Sequence, residues 1–229
     1  MRRRDYILLT LASAPFSFSG CLGDDDEIQD DSTDPDDFDY EQRTFTGDDS
    51  LPIELEGSGP AIYREVPLGE GLTVFDVSHD GDDEFIVGYR RPDHSGSPAI
   101  NVDGPFDGET IAQLDGGVSE LIITTHGTWS VSIRHLPSSE PEPLPVEVSG
   151  DSYTVAGPFD FGGETSFRAS FEDDTEFHAV VWDEERMVPD GYIGTAQQRT
   201  LDGVSFTHDG LGWLSVDAYG PWTVTFEET

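Results

Sequence analysis

From residue 51 onward, apolar and polar residues alternate in short runs that Gly, Pro and Asp interrupt. The segment LTVFDVSHDGDDEFIVGYR, residues 72–90, predicts two strands around an Asp/Gly turn, and SELIITTHGTWSVSIRHL, residues 119–136, predicts two more around a glycine. Residues 165–182 and 212–227 repeat both features. Because no segment has the periodicity of a long amphipathic helix, the pattern predicts an all-β fold.

The strand pattern occurs twice. Matching positions at an offset of 92 residues are Phe75/Phe167, Ser78/Ser170 and Phe85/Phe177. Matching positions at an offset of 93 residues are Gly117/Gly210, Leu121/Leu214, Ile123/Val216, Gly127/Gly220, Trp129/Trp222 and Val131/Val224. Similarity at one long period is typical of a duplicated structural unit.

A Pro-rich segment, LPSSEPEPLP, separates the two copies. We therefore predict one domain at residues 51–137, a linker at 138–145 and a second domain at 146–229. Each domain is expected to be a small antiparallel β-sandwich, Ig-like or jelly-roll-like, of seven or eight short strands.

Both copies end in one phrase, HGTWSVSI at residues 126–133 and YGPWTVTF at residues 219–226. The glycine predicts a tight hairpin turn with a positive φ. Because side chains alternate along a strand, Trp129 and Trp222 share a face with the apolar residues that follow them. The phrase therefore predicts two core tryptophans and no binding site.

The ending G-x-W-[ST]-V-[ST]-[IF] resembles that of a β-sandwich module found at the ends of many prokaryotic exported proteins and lipoproteins. The resemblance covers the last strand pair of each copy, roughly twenty residues. It implies a fold and an exported location, and it implies no activity.

The amino-acid composition is strongly acidic, and this limits the class of chain and the partners it can have. The chain has 48 Asp and Glu against 11 arginines and no lysine, a formal charge of −37, yet 35% of its residues are hydrophobic and 11% aromatic. That apolar content argues against a wholly disordered acidic chain. Because phosphate binding needs clustered Lys and Arg, a nucleic-acid partner is excluded.

The acidic surface suits a salty environment. The screening length falls from ~8 Å at ~0.15 M salt to ~3 Å at ~1 M, so repulsion between scattered acids largely vanishes in brine. The absence of lysine and the excess of Asp over Glu, 29 to 19, resemble the proteins of extremely halophilic archaea. We expect the fold to need molar salt.

The first 21 residues, MRRRDYILLTLASAPFSFSGC, have the layout of an export signal. Arg3 and Arg4 begin a segment that resembles the twin-arginine pattern R-R-x-[F/Y]-[L/I]. Residues 18–21, FSGC, resemble a lipobox with Phe18 in place of the usual Leu. This resemblance implies lipidation of Cys21, the only cysteine. The alternative is an ordinary cleaved signal with a chance cysteine.

Residues 22–50 contain 13 acids, one arginine and almost no large aliphatic residues. Such a segment stays solvated, so it predicts a disordered acidic tether. A lipid on Cys21 would then hold the folded part at the extracellular face of the cell membrane, and firm attachment would need two lipid chains.

The acidic run Asp80–Glu84, preceded by His79, is the candidate metal site, because Ca²⁺ prefers several carboxylates. Its counterpart, SFEDDTEF, lacks the Gly and the His, so we interpret the run as a solvated turn and leave a Ca²⁺ ion there as an open question. The six histidines show no zinc spacing. With no G-x-S-x-G motif and no phosphate loop, we predict no metal, no cofactor and no enzyme.

Trp182 and Trp213 are the candidate ligand-binding residues. Trp213 is one position out of phase with Leu214 and Val216, so it should face the other side of its strand, and its counterpart is Glu120. An exposed tryptophan on a sandwich face can stack on a sugar ring. The alternative is a tryptophan that lies against a loop or against the sister domain.

The sequence thus predicts a non-enzymatic cell-surface lipoprotein that serves recognition, adhesion or envelope structure in high salt, with a glycan or a surface protein as partner. The alternative function is a carbohydrate-binding or glycan-processing module that uses Trp182 or Trp213 with nearby acids. A solute-capture protein for a transporter is disfavoured, because that class usually has a larger two-lobed α/β body.

Overall fold

The structure, a computed structural model, describes residues 38–47, 50–93, 95–117, 120–171, 177–193 and 200–229. These residues form sixteen strands: β1 (Glu41–Thr44), β2 (Ile53–Ser58), β3 (Ala61–Arg64), β4 (Glu70–His79), β5 (Glu84–Arg90), β6 (Gly96–Asp103), β7 (Phe106–Asp115), β8 (Glu120–Thr124), β9 (Thr128–Arg134), β10 (Glu142–Pro143), β11 (Val146–Gly150), β12 (Thr154–Phe171), β13 (His178–Trp182), β14 (Met187–Ile193), β15 (Thr200–Asp217) and β16 (Trp222–Glu228). None of the described residues lies in a helix long and apolar enough to cross a membrane.

Strands β1–β9, called repeat 1, form a sandwich of two sheets. The strand orders are β2-β9-β4-β7 and β1-β3-β8-β5-β6. Neighbouring strands are antiparallel, except that β1 pairs with β3 in parallel. Alternate side chains of both sheets, among them Phe75, Phe85 and Ile133, point inward and form one buried cluster. The predicted all-β, antiparallel sandwich class is confirmed.

Strands β10–β16, called repeat 2, build the same layers from fewer and longer strands. β12 and β15 have 18 residues each and pair antiparallel, with register shifts at Ala156/Phe159 and Phe167/Ala169. The two halves of β12 take the places of β3 and β4, and those of β15 take the places of β7 and β8. The prediction that all strands are short is therefore wrong for repeat 2, because two continuous strands pass between the layers and bend at bulges.

The glycine turn near the end of each repeat connects two strands that do not pair with each other. β8 lies in the five-stranded sheet and β9 in the four-stranded sheet, so the predicted hairpin is wrong. Gly220 has the predicted positive φ, 81°, whereas the φ of Gly127 is not positive. Position 127 requires glycine because there is no room for a side chain: a Cβ there would lie 2.7 Å from the Gly81 nitrogen.

Trp129 and Trp222 are 4% and 2% exposed, which confirms that they are core residues. Each stands opposite a glycine of the neighbouring strand, Gly57 or Gly150, and a Cβ there would come within 2.7 or 2.6 Å of the ring. Each indole N–H donates to the carbonyl two residues beyond that glycine, at 2.9 and 3.0 Å. The duplication thus extends to side-chain contacts that the sequence match did not include.

A junction cluster of apolar side chains joins the two repeats. Leu72, Val74 and Ile111 of repeat 1 pack against Val155 and Trp213 of repeat 2, and all five are buried. Among the described residues, no strand of repeat 1 pairs with a strand of repeat 2. The repeats are therefore joined by apolar contacts between sheet faces and by individual hydrogen bonds, and not by strand pairing.

Two strands lie within the segments that the sequence assigns to the tether and the linker. The predicted tether, residues 22–50, includes β1, which pairs with an edge of β3 and satisfies its backbone groups. The predicted linker, residues 138–145, includes β10, which pairs with β12. The export signal with Arg3 and Arg4, the lipidation residue Cys21 and tether residues 22–37 lie outside the described residues.

Candidate functional site

Trp213 faces away from Leu214 and Val216, as its phase predicts, but its ring is only 5% exposed within the junction cluster. Its indole N–H donates to the Pro137 carbonyl at 2.9 Å. The register partner Trp182 is partly buried beside the same cluster. Trp213 therefore cannot act as an exposed stacking surface, because it lies against repeat 1, the alternative named for it above.

The counterpart position in repeat 1 explains why the two outer faces differ. Glu120 stands there, and it forms ion pairs with Arg64 and Arg90. A charged outer face stays in water, whereas a tryptophan at the same place gains free energy by burial against an apolar sheet. The exchange of Glu120 for Trp213 therefore gives the outer face of repeat 2 an apolar group that packs against its sister repeat.

His79 is a core residue. It is 5% exposed, and its ring stacks on Phe85 at 4.5 Å between centroids. Its Nδ1 lies 3.2 Å from the Gly104 carbonyl and its Nε2 accepts from the Gly81 N–H at 3.3 Å. Phe171 and Phe177 form the equivalent stack in repeat 2, at 4.7 Å. His79 therefore takes the place of a core phenylalanine, and both of its ring nitrogens lie against neighbouring backbone groups.

The acids that follow His79 have separate partners. Asp80 accepts from the Thr128 N–H at 2.7 Å, and hydrogen bonds from the Thr128 side chain and backbone hold its pKa below the usual value. Asp83 pairs with His126. Among the described residues, no three His, Cys, Asp or Glu side chains are grouped so that they could hold a metal ion.

Each repeat has an open groove beside its core tryptophan. The groove of repeat 1 has a volume of about 610 Å³ and that of repeat 2 about 700 Å³. Equivalent positions line both, namely Glu56/Ser149, Ser78/Ser170, His79/Phe171, Thr128/Pro221, Trp129/Trp222 and Ser130/Thr223. Because the grooves recur with the fold and the tryptophans are almost fully covered, they follow from the shared architecture.

A third concavity is formed by both repeats together. This inter-repeat cleft has a volume of about 570 Å³. Its lining residues are Glu84, Asn101, Val102 and Asp103 of repeat 1 and Tyr153 and Tyr219 of repeat 2. Ligand sites occur preferentially where structural units meet, so this cleft is the candidate functional site.

The aromatic wall of the cleft rests on the junction between the repeats. Phe106 of repeat 1 is buried and makes edge-on contacts with Tyr153 and Tyr219, at 5.1 and 6.4 Å between centroids. The Glu109 N–H donates to the Tyr153 carbonyl at 3.0 Å. Tyr219 remains 39% exposed, so its supported ring is open to the cleft.

The polar wall lies on β5 and β6. Glu84 and Asp103 are register partners, so two carboxylates stand opposite each other, an unfavourable arrangement in dilute solution. Asn101, two residues before Asp103, lies on the same face. Burial raises the pKa of Tyr219, and the carboxylates of Asp103 and Asp217 raise it further against a hydrogen bond with Tyr153.

Asp217, at the end of β15, is the most perturbed carboxyl group near this junction. Burial raises its pKa to about 6, opposed by the charge of His178 and a hydrogen bond with Thr110 of repeat 1. Its Oδ1 is buried without a hydrogen-bond partner among the described residues. Ionisation of Asp217 is therefore unfavourable in the folded state.

Asp217→Asn is expected to stabilise the protein by about 1–3 kcal/mol at pH 8. The pKa of Asp217 is about 6 in the folded state and ~3.9 in the unfolded state, so the folded protein holds the proton more tightly. The stability that the protonated carboxyl group contributes is therefore present below pH ~4 and is lost as pH rises through about 6. Denaturant unfolding in molar salt at pH 8 and pH 4 measures the difference, which should shrink at the lower pH.

Asp209→Asn is the matched control, because Asp209 is an exposed carboxylate of the same strand and the net charge changes equally. Equal stabilisation of both variants at pH 8 would show that general charge repulsion, and not the buried position of Asp217, is responsible.

No known family and no curated protein matches the chain. A chain of the Sulfolobus turreted icosahedral virus structure is similar over 77% of this chain, with 11% identity and a TM-score of 0.23, and this chain spans 57% of it. The CUB1-EGF-CUB2 region of human MASP-1/3 is similar over 79% of this chain and all of its own length, with 7% identity and a TM-score of 0.24.

Sequence reasoning did not find the cleft. Tyr219 is the first residue of the repeated phrase YGPWTVTF, but its counterpart is His126, so it is not part of the repeat. The difference between the copies at this position was the one signal in the sequence. Its neighbours Asn101 and Asp103 are about 115 positions away in sequence, and only the docking of the repeats brings them together.

Proposed function

We propose that the protein is a non-enzymatic lipoprotein of the extracellular membrane face that recognises a ligand through the inter-repeat cleft in high salt. The main observation in favour of ligand recognition is the partly exposed Tyr219 ring, which Phe106 and Tyr153 hold in place at the edge of the cleft. Beside this ring stand the carboxylates of the cleft, and among the described residues no arginine forms an ion pair with them. A partly exposed aromatic ring beside polar groups, in a cleft where two structural units meet, favours a binding role.

The location is inferred from the N-terminal residues. The basic start, the short apolar run and the FSGC segment support export followed by lipidation of Cys21, with Arg3 and Arg4 as export determinants. The acidic residues that follow would remain solvated and separate the sandwiches from the membrane. The high negative charge supports a medium of molar salt.

Cys21→Ala is expected to move the protein from the membrane fraction into the medium or the soluble fraction. A lipid anchor contributes about 0.8 kcal/mol of membrane-binding free energy for each buried CH₂ group. In the proposed arrangement, no other feature binds this acidic protein to the membrane. Fractionation of cells in molar salt, with mass spectrometry of the mature N-terminus, measures both location and lipid.

The matched control is Ser19→Ala, which changes a neighbouring small residue and leaves the cysteine. Retention of Cys21→Ala in the membrane fraction, or a wild-type N-terminus without a lipid mass, would contradict the anchoring proposal. Replacement of both Arg3 and Arg4 by lysine tests the export route separately and should leave unprocessed precursor inside the cell.

A further inference from the structure

We infer that the inter-repeat cleft binds a neutral, hydroxyl-rich glycan, with Tyr219 as the stacking surface and Asn101, Asp103 and Glu84 as hydrogen-bonding groups. This inference deepens the proposed recognition function and rests on it. Its residues differ from the two candidates of the sequence analysis, Trp182 and Trp213.

The shape and rigidity of the cleft suit a small ligand. Its volume of about 570 Å³ falls within the range of ~300–1,000 Å³ usual for small-molecule sites. Tyr219 loses little freedom on binding, because Phe106 and Tyr153 already pack against its ring at 6.4 and 5.5 Å. A preformed aromatic face can cover the C–H face of a pyranose ring without further ordering.

The polar groups match vicinal hydroxyls. Carboxylates accept hydrogen bonds only, whereas the Asn101 amide both accepts and donates. Sugar hydroxyls do both, so a pair of them can donate to Glu84 or Asp103 while one accepts from Asn101. The register of β5 and β6 places these three side chains on one face of the sheet, next to the tyrosines.

The charge of the site decides between ligand classes. Two carboxylates on a chain of charge −37 repel an anionic ligand. They attract a cation in dilute solution, but in molar salt a screening length of ~3 Å removes most of that attraction. Ring stacking and hydrogen bonds are screened far less than charge attraction, so the ligand that the cleft can hold in its working medium is neutral and rich in hydroxyls.

The test uses the full chain, purified in detergent micelles and molar KCl, and probes it with arrays of neutral gluco-, manno-, galacto- and N-acetylglucosamine oligosaccharides. We expect retention of at least one class. Tyr219→Ala should weaken binding about tenfold and Asn101→Ala about fivefold. Tyr219→Phe keeps the ring and should stay within about threefold of wild type.

Tyr192→Ala is the matched control, since Tyr192 is 50% exposed on β14 and does not line the cleft. Its binding should equal that of wild type. Melting curves accompany each variant, and if Tyr219→Ala fails to fold, exposed Asn101 together with Tyr219→Phe carries the test.

Three results would overturn the inference: no retained neutral glycan, wild-type affinity in both Tyr219→Ala and Asn101→Ala, or retention of an organic ammonium such as choline in place of any glycan. Cys21→Ala separates the two proposals. If the anchor proposal fails, glycan binding by the chain is unaffected, and if the glycan inference fails, membrane release of Cys21→Ala still occurs.

Discussion

Trp222→Ala is expected to lower the free energy of unfolding by about 3–5 kcal/mol, because a fully buried aromatic side chain leaves a cavity. The ring is 2% exposed, and it covers Gly150, the residue opposite it on β11. Its N–H also donates to the Ser152 carbonyl at 3.0 Å, and without the indole that acceptor would keep only the Thr154 hydroxyl as a donor. Chemical denaturation in molar salt measures the loss.

Thr225→Ala is the control on the same strand, because Thr225 lies on the opposite face from Trp222 and is only partly buried. It should change stability by no more than about 0.5 kcal/mol. Trp129→Ala should reproduce the loss of Trp222→Ala in repeat 1, where the same contacts occur. Denaturation curves of Trp222→Ala that overlay those of wild type would show that the ring is not part of the core.

Dilution from molar salt into dilute buffer is expected to unfold the protein. The formal charge is −37 in 229 residues, and lower salt lengthens the screening distance from ~3 Å to ~8 Å or more. The structure shows where repulsion would act. Glu84 stands opposite Asp103, and the raised pKa of Asp76 results from burial first and then from neighbouring Glu109. Far-UV circular dichroism and tryptophan fluorescence follow the transition.

A non-ionic solute distinguishes screening from hydration. Sucrose strengthens burial without screening charge, so if repulsion is the cause it should restore less structure than KCl at equal water activity. A folded far-UV spectrum that survives dilution would contradict the salt requirement and remove the argument that links the acidic composition to brine.

The fold class was predictable because local alternation carries it. The β4, β5, β8, β9, β13 and β16 segments, and the C-terminal part of β15, were found from alternating apolar residues, and the burial of Trp129 and Trp222 followed from the same alternation. Strand pairing was less predictable. The turn at Gly127 reads as a hairpin in sequence, yet it joins the two layers, because pairing depends on distant strands such as β2 and β4.

The sequence predicted which way Trp213 faces, but it did not predict where the candidate site lies. Phase correctly placed Trp213 on the outer face of its strand, but phase cannot say what covers that face. The covering surface, Leu72, Val74 and Ile111, belongs to repeat 1 and looks like an ordinary strand pattern in sequence. The role of Tyr219 is equally invisible in the sequence, because the residues that form the cleft with Tyr153 and Tyr219 belong to the other repeat.

By itself, the sequence determined the all-β class, the duplication and the inward face of each repeated tryptophan. These properties depend on alternation and on periodicity, which are local or regular along the chain. Only the tertiary structure decided that β12 and β15 run through both layers, that Trp213 is buried between the repeats, and that Tyr219 faces Asn101 and Asp103. Those outcomes depend on which surfaces dock, and docking is set by shape and apolar area over residues far apart in sequence.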